Sequence, residues 1–348
     1  MDIYFVLFGI LLLLGLLTSD DRFFETNYIS YQKVGFIILS FILILLTGLR
    51  KVGVGVDDLN YQLLYETSRG GKLRKDPAFF LLANILPSIH LLFLTFAVIS
   101  VLLKTSFLYK HTKYLGLALL LYFSSHYFLH DFVQIRAAVA SGLLLWALYS
   151  AGEKKYLTFT AITALAIAFH LSAIIFIPLL FLYRKNTRFI YIILGITSLS
   201  IGIFHPPDVN ALTVFFPEII AKRLTLFFNE QGETANLLNP IALLQYIIAV
   251  LIFIFWDKIM CHSRYAVYLV KSYLVGIFSF MLLYNIPGIG FRLYELLIIS
   301  QIPLLDIMIT KLKPRAFMKA FPIVMSIVYF YYYVIKYSIV NEYNLFFL

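Results

Sequence analysis

Three arginines stand at the ends of apolar runs: Arg50 in Gly48-Leu49-Arg50, Arg136 in Gln134-Ile135-Arg136, and Arg292 in Phe291-Arg292-Leu293. A guanidinium stays charged in any surroundings and grips phosphate oxygens two at a time. Arg136 opens a segment rich in Ala and Gly, and Arg292 follows the turn Pro287-Gly288-Ile289-Gly290, so both belong where a helix begins. A helix opening adds free N–H groups and a favourable dipole for an anion. Three such groups suit a pyrophosphate. Snorkelling to lipid headgroups is the competing use of any single one.

Seven residues beyond Arg50 comes an acidic pair, Asp57-Asp58, reached through Val52-Gly53-Val54-Gly55-Val56. Glycine lets the backbone make turns that a Cβ resists, and here it brings the acids back toward the arginine. Either carboxylate fits a general base for a sugar hydroxyl. Metal binding is the weaker use, because the next acid, Glu66, lies beyond Tyr61 and Tyr65. His170, in Ala168-Phe169-His170-Leu171-Ser172, interrupts an otherwise apolar stretch. An ionisable group at membrane depth is a functional candidate by default, and histidine moves protons near neutral pH. A helix-breaking histidine bonded to backbone is the alternative. Tyr61 and Gln134 add a ring face and an amide for a sugar. His126 and His130 share one helical face at a spacing compatible with zinc. Without a cysteine, an intervening Glu or a further histidine nearby, interfacial polar residues are the better reading.

The elements that position these groups are membrane segments. Hydrophobic residues make up 61% of the 348 and charged ones 13%, against about 25% charged in soluble domains, and the mean hydropathy is +0.89. The class is all-α, a polytopic helical bundle forming a single integral-membrane domain over 1–348. The formal charge of +10 is no nucleic-acid signal, since the Lys and Arg sit in short loops between apolar runs. The single cysteine, Cys261, excludes an intrachain disulfide and a Cys-based metal cluster. Met1–Leu17 lacks a basic start and a small-residue cleavage site, so it reads as a retained span.

Loop charge sets the sidedness. The basic groups Lys104/Lys110/Lys113, Lys154/Lys155, Arg184/Lys185/Arg188, Lys258/Arg264 and Lys311/Lys313/Arg315/Lys319 all belong in the cytoplasm by the positive-inside tendency. One span over Leu157–Tyr183 would put two of them on opposite sides. A hairpin turning at His170, with arms Leu157–Phe169 and Leu171–Tyr183, removes the conflict. The expected total is about 11–12 membrane segments. Every candidate for chemistry then lies on the outer face, Arg69–Lys75 being a basic run on that same side. In the outer loop 205–240, Phe215, Phe216, Ile219, Ile220, Leu224, Phe227 and Phe228 recur at helical spacing and predict an amphipathic helix lying on the membrane. Tyr331-Tyr332-Tyr333 reads as an interfacial anchor.

Four separated motifs in this order resemble the EpsG family of membrane proteins, related in role to Wzy-type polysaccharide polymerases. They are Gly48-Leu49-Arg50 with Val52–Asp57 and Tyr61, Gln134-Ile135-Arg136 leading into Ala137–Leu148, Ala166–Ala173, and Phe291-Arg292-Leu293-Tyr294. Where that family has a small hydroxyl residue before its Asp, this chain has Val56, and it carries a second acid, Asp58. The resemblance implies a glycosyltransferase that joins undecaprenyl-pyrophosphate-linked oligosaccharide repeat units, for O-antigen, capsule or exopolysaccharide. The setting is the outer face of a bacterial inner membrane. Arg50, Arg136 and Arg292 would hold the pyrophosphate, and Asp57, Asp58 or His170 would take the proton. Tyr61 and Gln134 would hold sugar, with no metal or other cofactor required. A chain-length regulator protein and a flippase are the partners such a reaction calls for, alongside the lipid bilayer. The alternative from a different class is a lipid-linked glycan flippase or transporter, which calls for polar groups at mid-bilayer depth and on both faces.

Overall fold

The computed structural model describes residues 1–19, 28–68, 76–207 and 235–347. Among them the protein is all helical, without a sheet. The helices are α1 (Asp2–Ser19), α2 (Tyr28–Gly48), α3 (Asp58–Ser68), α4 (Pro77–Ile85), α5 (Ile89–His111), α6 (Leu115–Tyr122), α7 (Ile135–Gly152), α8 (Tyr156–Phe169) and α9 (Arg188–Phe204). They continue with α10 (Pro240–Ile254), α11 (Trp256–Met260), α12 (Arg264–Leu282), α13 (Pro287–Ile298), α14 (Gln301–Lys311) and α15 (Arg315–Phe330). α6 runs on as a π-helix over Phe123–Val133, α15 as a π-helix over Tyr331–Lys336, and a 3₁₀ helix spans Leu171–Phe181. The predicted amphipathic helix of 205–240 and the basic run Arg69–Lys75 lie outside the described residues, apart from the ends of the first.

Length and composition let four helices cross a membrane unaided: α5, α7, α12 and the continuous Arg315–Lys336. α13 and α14, bent by 46° at their break, together make a fifth. Six further apolar helical stretches among the described residues, parts of α1 and α2 included, run for 10–17 residues. This is a multi-pass membrane protein, but the expected eleven or twelve segments resolve into a few full-length spans and many short ones. Short, interrupted helices persist at membrane depth only where protein or a cavity satisfies their free backbone ends.

α7 is the axis of the bundle. It is buried along most of its length and packs against α5, α8 and α12. Its small residues allow close approach: a Cβ on Gly142 would stand 2.9 Å from Leu103 Cβ, and one on Gly152 2.9 Å from Tyr265 Cα. α8 and the 3₁₀ helix form the hairpin foreseen from loop charge. His170 between them is extended (φ −151°, ψ 112°). The far ends of the two arms meet at Arg264, whose guanidinium lies 5.9 Å from the Tyr156 ring and 5.7 Å from the Tyr183 ring.

One buried ion pair departs from the loop-charge reading. Lys104, assigned to a cytoplasmic loop, is wholly buried in α5 and bonds Asp131 at 2.8 Å. Tyr122 and Ser100 also donate to that carboxylate. His126 and His130, read as interfacial, are buried beside it in the π-helix. A Lys at a helix end reads as a loop residue in sequence. Here the carboxylate across the bundle draws it inward, since a buried charge persists only when paired.

Candidate functional site

Four helices open toward one cavity. Asp57 immediately precedes α3, Asp76 caps α4, Gln134 caps α7, and His170 caps the 3₁₀ helix. These residues, with Tyr61, Arg136 and Arg292, line a pocket of about 370 Å³. Helix N-termini carry partial positive charge and unsatisfied N–H groups, so their convergence favours an anion.

Each wall residue is held by its neighbours. The π-helix ends at Gln134, whose N–H reaches back to Leu129 O at 3.0 Å, and this break starts α7 with Arg136 in its first turn. Arg136 Nη1 pairs with Asp76, and its guanidinium lies 5.5 Å from the Tyr61 ring and 5.6 Å from Phe79. The other Asp76 oxygen accepts from the Leu171 N–H at 2.8 Å. Asp76 thereby ties the hairpin tip to α7, from a left-handed backbone (φ 61°, ψ 64°) that strains any residue with a Cβ. Asp57 is half-buried with one weak partner, Asn60 Nδ2 at 3.5 Å. Burial raises its carboxyl above the ordinary value, against the opposing pull of Asn60 and Arg136. Arg136 Nε and His170 Nδ1 are buried without a hydrogen-bond partner.

Of the residues singled out in sequence, Asp57, Tyr61, Gln134, Arg136, His170 and Arg292 come together here. Arg50 and Asp58 do not. They are wholly buried and bound to each other, Nη2 to Oδ1 at 2.8 Å. Arg50 further donates to Thr47 O (2.6 Å) and Phe132 O (2.9 Å), and Asp58 Oδ2 accepts from Gly55 N at 2.8 Å. Both charges are spent on fixing the glycine-rich turn. The C-terminal tail fixes it from the other side: Lys51 N donates to Asn344 O, Asn341 N to Val54 O, and Phe346 N to Leu49 O.

Two acids escaped the sequence reading. Asp76 is marked only by an Asp-Pro step at a helix start. Glu295 sits one turn after Arg292 and accepts from Gln134 Nε2 at 3.1 Å. An i, i+3 Arg–Glu pair on an apolar helix was the signal for it.

The EpsG family profile matches residues 33–348. The chain belongs to the EpsG family. Neither curated proteins nor solved structures give a match. EpsG proteins are associated with exopolysaccharide biosynthesis, and the matched region contains every residue of the pocket.

Proposed function

We propose that this EpsG protein is a polysaccharide polymerase, a membrane glycosyltransferase using a polyprenyl-pyrophosphate-linked glycan as donor. The observation that carries the reading is the pocket itself. Residues from five distant stretches meet there, with two arginines, two aspartates and a histidine in the lining, and Arg136 Nε and His170 Nδ1 left without protein partners. Arg136 and Arg292 hold the pyrophosphate, and Gln134 and Tyr61 face the sugar. The oxygen of an acceptor hydroxyl attacks the anomeric carbon of the donor glycan. The carbon–oxygen bond to pyrophosphate breaks, and its electron pair leaves with the phosphate. The arginines stabilise the charge that builds there. Of the pocket's two aspartates, Asp76 is engaged by Arg136 and the Leu171 N–H, so Asp57 takes the hydroxyl proton. His170 Nδ1, without a protein partner, is left to hydrogen-bond the substrate.

The placing of basic residues along the bundle supports an extracytoplasmic site. α7 starts at the pocket and ends beside Lys154 and Lys155, about 27 Å away at 1.5 Å per residue. Arg264, Lys113 and Lys311 share that far end. The positive-inside tendency supports a cytoplasmic placing of that end and an extracytoplasmic one for the pocket. The undecaprenyl carrier and any chain-length regulator or flippase partner belong to the same proposal.

The test is purified protein in nanodiscs with synthetic lipid-linked repeat units, scored for a ladder of longer products. Ladders from the parent and their loss in Arg136→Ala and Arg292→Ala are expected. Movement of intact lipid-linked units between leaflets without lengthening would replace the polymerase with a transporter.

A further inference from the structure

A second cavity, of about 460 Å³, abuts the charged pocket. The two meet at one hydrogen bond, since Gln134 lines the first and Glu295, its acceptor, lines the second. Phe280, Phe291, Tyr333 and Tyr337 supply much of the remaining wall, with Asn236 beside them. The Phe280 and Phe291 rings lie 5.5 Å apart at 35°. Among the described residues, Glu295 is the only charged group in this lining.

That chemistry selects its occupant. A pyrophosphate would meet a carboxylate with no cation in the wall. A polyprenyl chain would strand the carboxylate against hydrocarbon, which is costly for a charged group. A neutral polyhydroxylated ring satisfies both sides: its C–H faces lie on aromatic rings, and its hydroxyls donate to the Glu295 carboxylate with charge-assisted bonds. We propose that the second cavity is a saccharide site, in which Glu295 accepts hydrogen bonds from sugar hydroxyls and Phe291 and Tyr337 bear on ring faces. The assignment of that sugar to the acceptor glycan rests on the polymerase reading; the saccharide site itself does not. In the joint arrangement, Gln134 stands between donor and acceptor and aligns the attacking hydroxyl with the anomeric carbon.

The probe is the oligosaccharide released by mild acid from lipid-linked repeat units, titrated against the full-length protein in nanodiscs by saturation-transfer NMR. The parent should bind it. Glu295→Gln and Phe291→Ala should each weaken it about tenfold, the loss expected for one charge-assisted hydrogen bond or one well-packed ring. Farnesyl pyrophosphate, a probe of the charged pocket, should bind both variants as it binds the parent. Should Phe291→Ala fail to fold, Glu295→Gln keeps the side chain's size and carries the test alone. No binding by the parent, or parental affinity in the variants, overturns the site. Elongation with an unchanged acceptor KM in both variants overturns it while leaving the polymerase standing. Specific glycan binding without any elongation does the reverse: it keeps the saccharide site and removes the polymerase.

Discussion

Asp58→Asn separates a strut from a catalyst. In the parent, Asp58 receives Arg50 Nη2 at 2.8 Å, Arg50 Nε at 3.2 and 3.3 Å, and Gly55 N at 2.8 Å, and neither charged side chain has any exposed surface. Asparagine keeps the volume but removes the charge, and its NH₂ group can face a guanidinium that has only donors to offer. Breaking a buried pair from one side costs about 3–5 kcal/mol, because the remaining charge stays buried. Arg50 keeps its carbonyl bonds to Thr47 and Phe132 and rests on the Phe93 ring at 4.2 Å. The loss should therefore fall at the lower end, about 3 kcal/mol, which is a large share of a typical stability of about 5–15 kcal/mol. The assay is the unfolding midpoint of purified protein in micelles, followed by circular dichroism. The double variant Arg50→Met with Asp58→Leu should recover most of the loss, since no charge is left stranded. If Asp58→Asn unfolds like the parent but makes no polymer, the carboxylate is chemical, and the assignment of this pair to structure is refuted.

Three other outcomes are expected. Arg292→Ala should lower single-turnover elongation about 100-fold, the scale of removing one preorganised charge donor, with little change in unfolding midpoint because Arg292 is exposed. Polymer synthesis should fall on acidification through a pKa above the ordinary aspartate value, as the half-buried Asp57 gains its proton, and Asp57→Asn should abolish both the activity and that limb. The sign for stability is opposite: a raised carboxyl pKa contributes stability at low pH that is lost as pH rises through the raised value, so an acid loss of activity at Asp57 is not unfolding. Truncation after Tyr337 should lower the unfolding midpoint, because it removes the backbone bonds that Ile339, Asn341, Asn344 and Phe346 make with the 49–56 turn.

Legibility followed range. The hairpin at His170 could be read from sequence because two basic loops cannot lie on opposite sides of the membrane without violating a bulk rule, and charge counts along a chain are local information. The six residues that meet at the pocket stood out in sequence because polar side chains at the ends of apolar runs have few structural reasons to be there. Arg50 and Asp58 looked the same by that test. What separates them is the Phe132 carbonyl and the fit of Gly55, where a Cβ would stand 2.9 Å from Phe132 O and 3.0 Å from Asp58 Oδ1. Both are contacts across a sequence distance that spacing cannot measure. The same holds for Lys104 and Asp131, which find each other across the bundle, and for Tyr333, whose ring lines the second cavity in place of serving only as a membrane anchor. Sequence located the apolar segments but not the length of regular helix within each, because hydropathy reports apolar character alone.

Asp76 explains how two arginines share a small pocket inside a membrane protein. Unbalanced, their charges would repel each other and resist burial. Two aspartates, Asp57 and Asp76, face them, so the resting pocket is close to neutral. The balance is asymmetric: Asp76 is locked by Arg136 and by the Leu171 N–H, whereas Asp57 has only Asn60 at the limit of hydrogen-bond range. In the proposed reaction, the locked acid would hold Arg136 in aim for a pyrophosphate while its Nε stays available, and the loosely held acid would take the proton. Taking it removes a negative charge as negative charge builds on the leaving group. On that proposal the pocket's electrostatics would improve as the reaction proceeds, which is what a base beside an anion site requires. Asp76→Asn should on this account slow turnover by letting Arg136 and the hairpin tip drift, with donor affinity little changed or raised, whereas Asp57→Asn should abolish turnover and tighten donor binding. Equal losses of donor affinity in both would show that the two acids are equivalent and end the distinction.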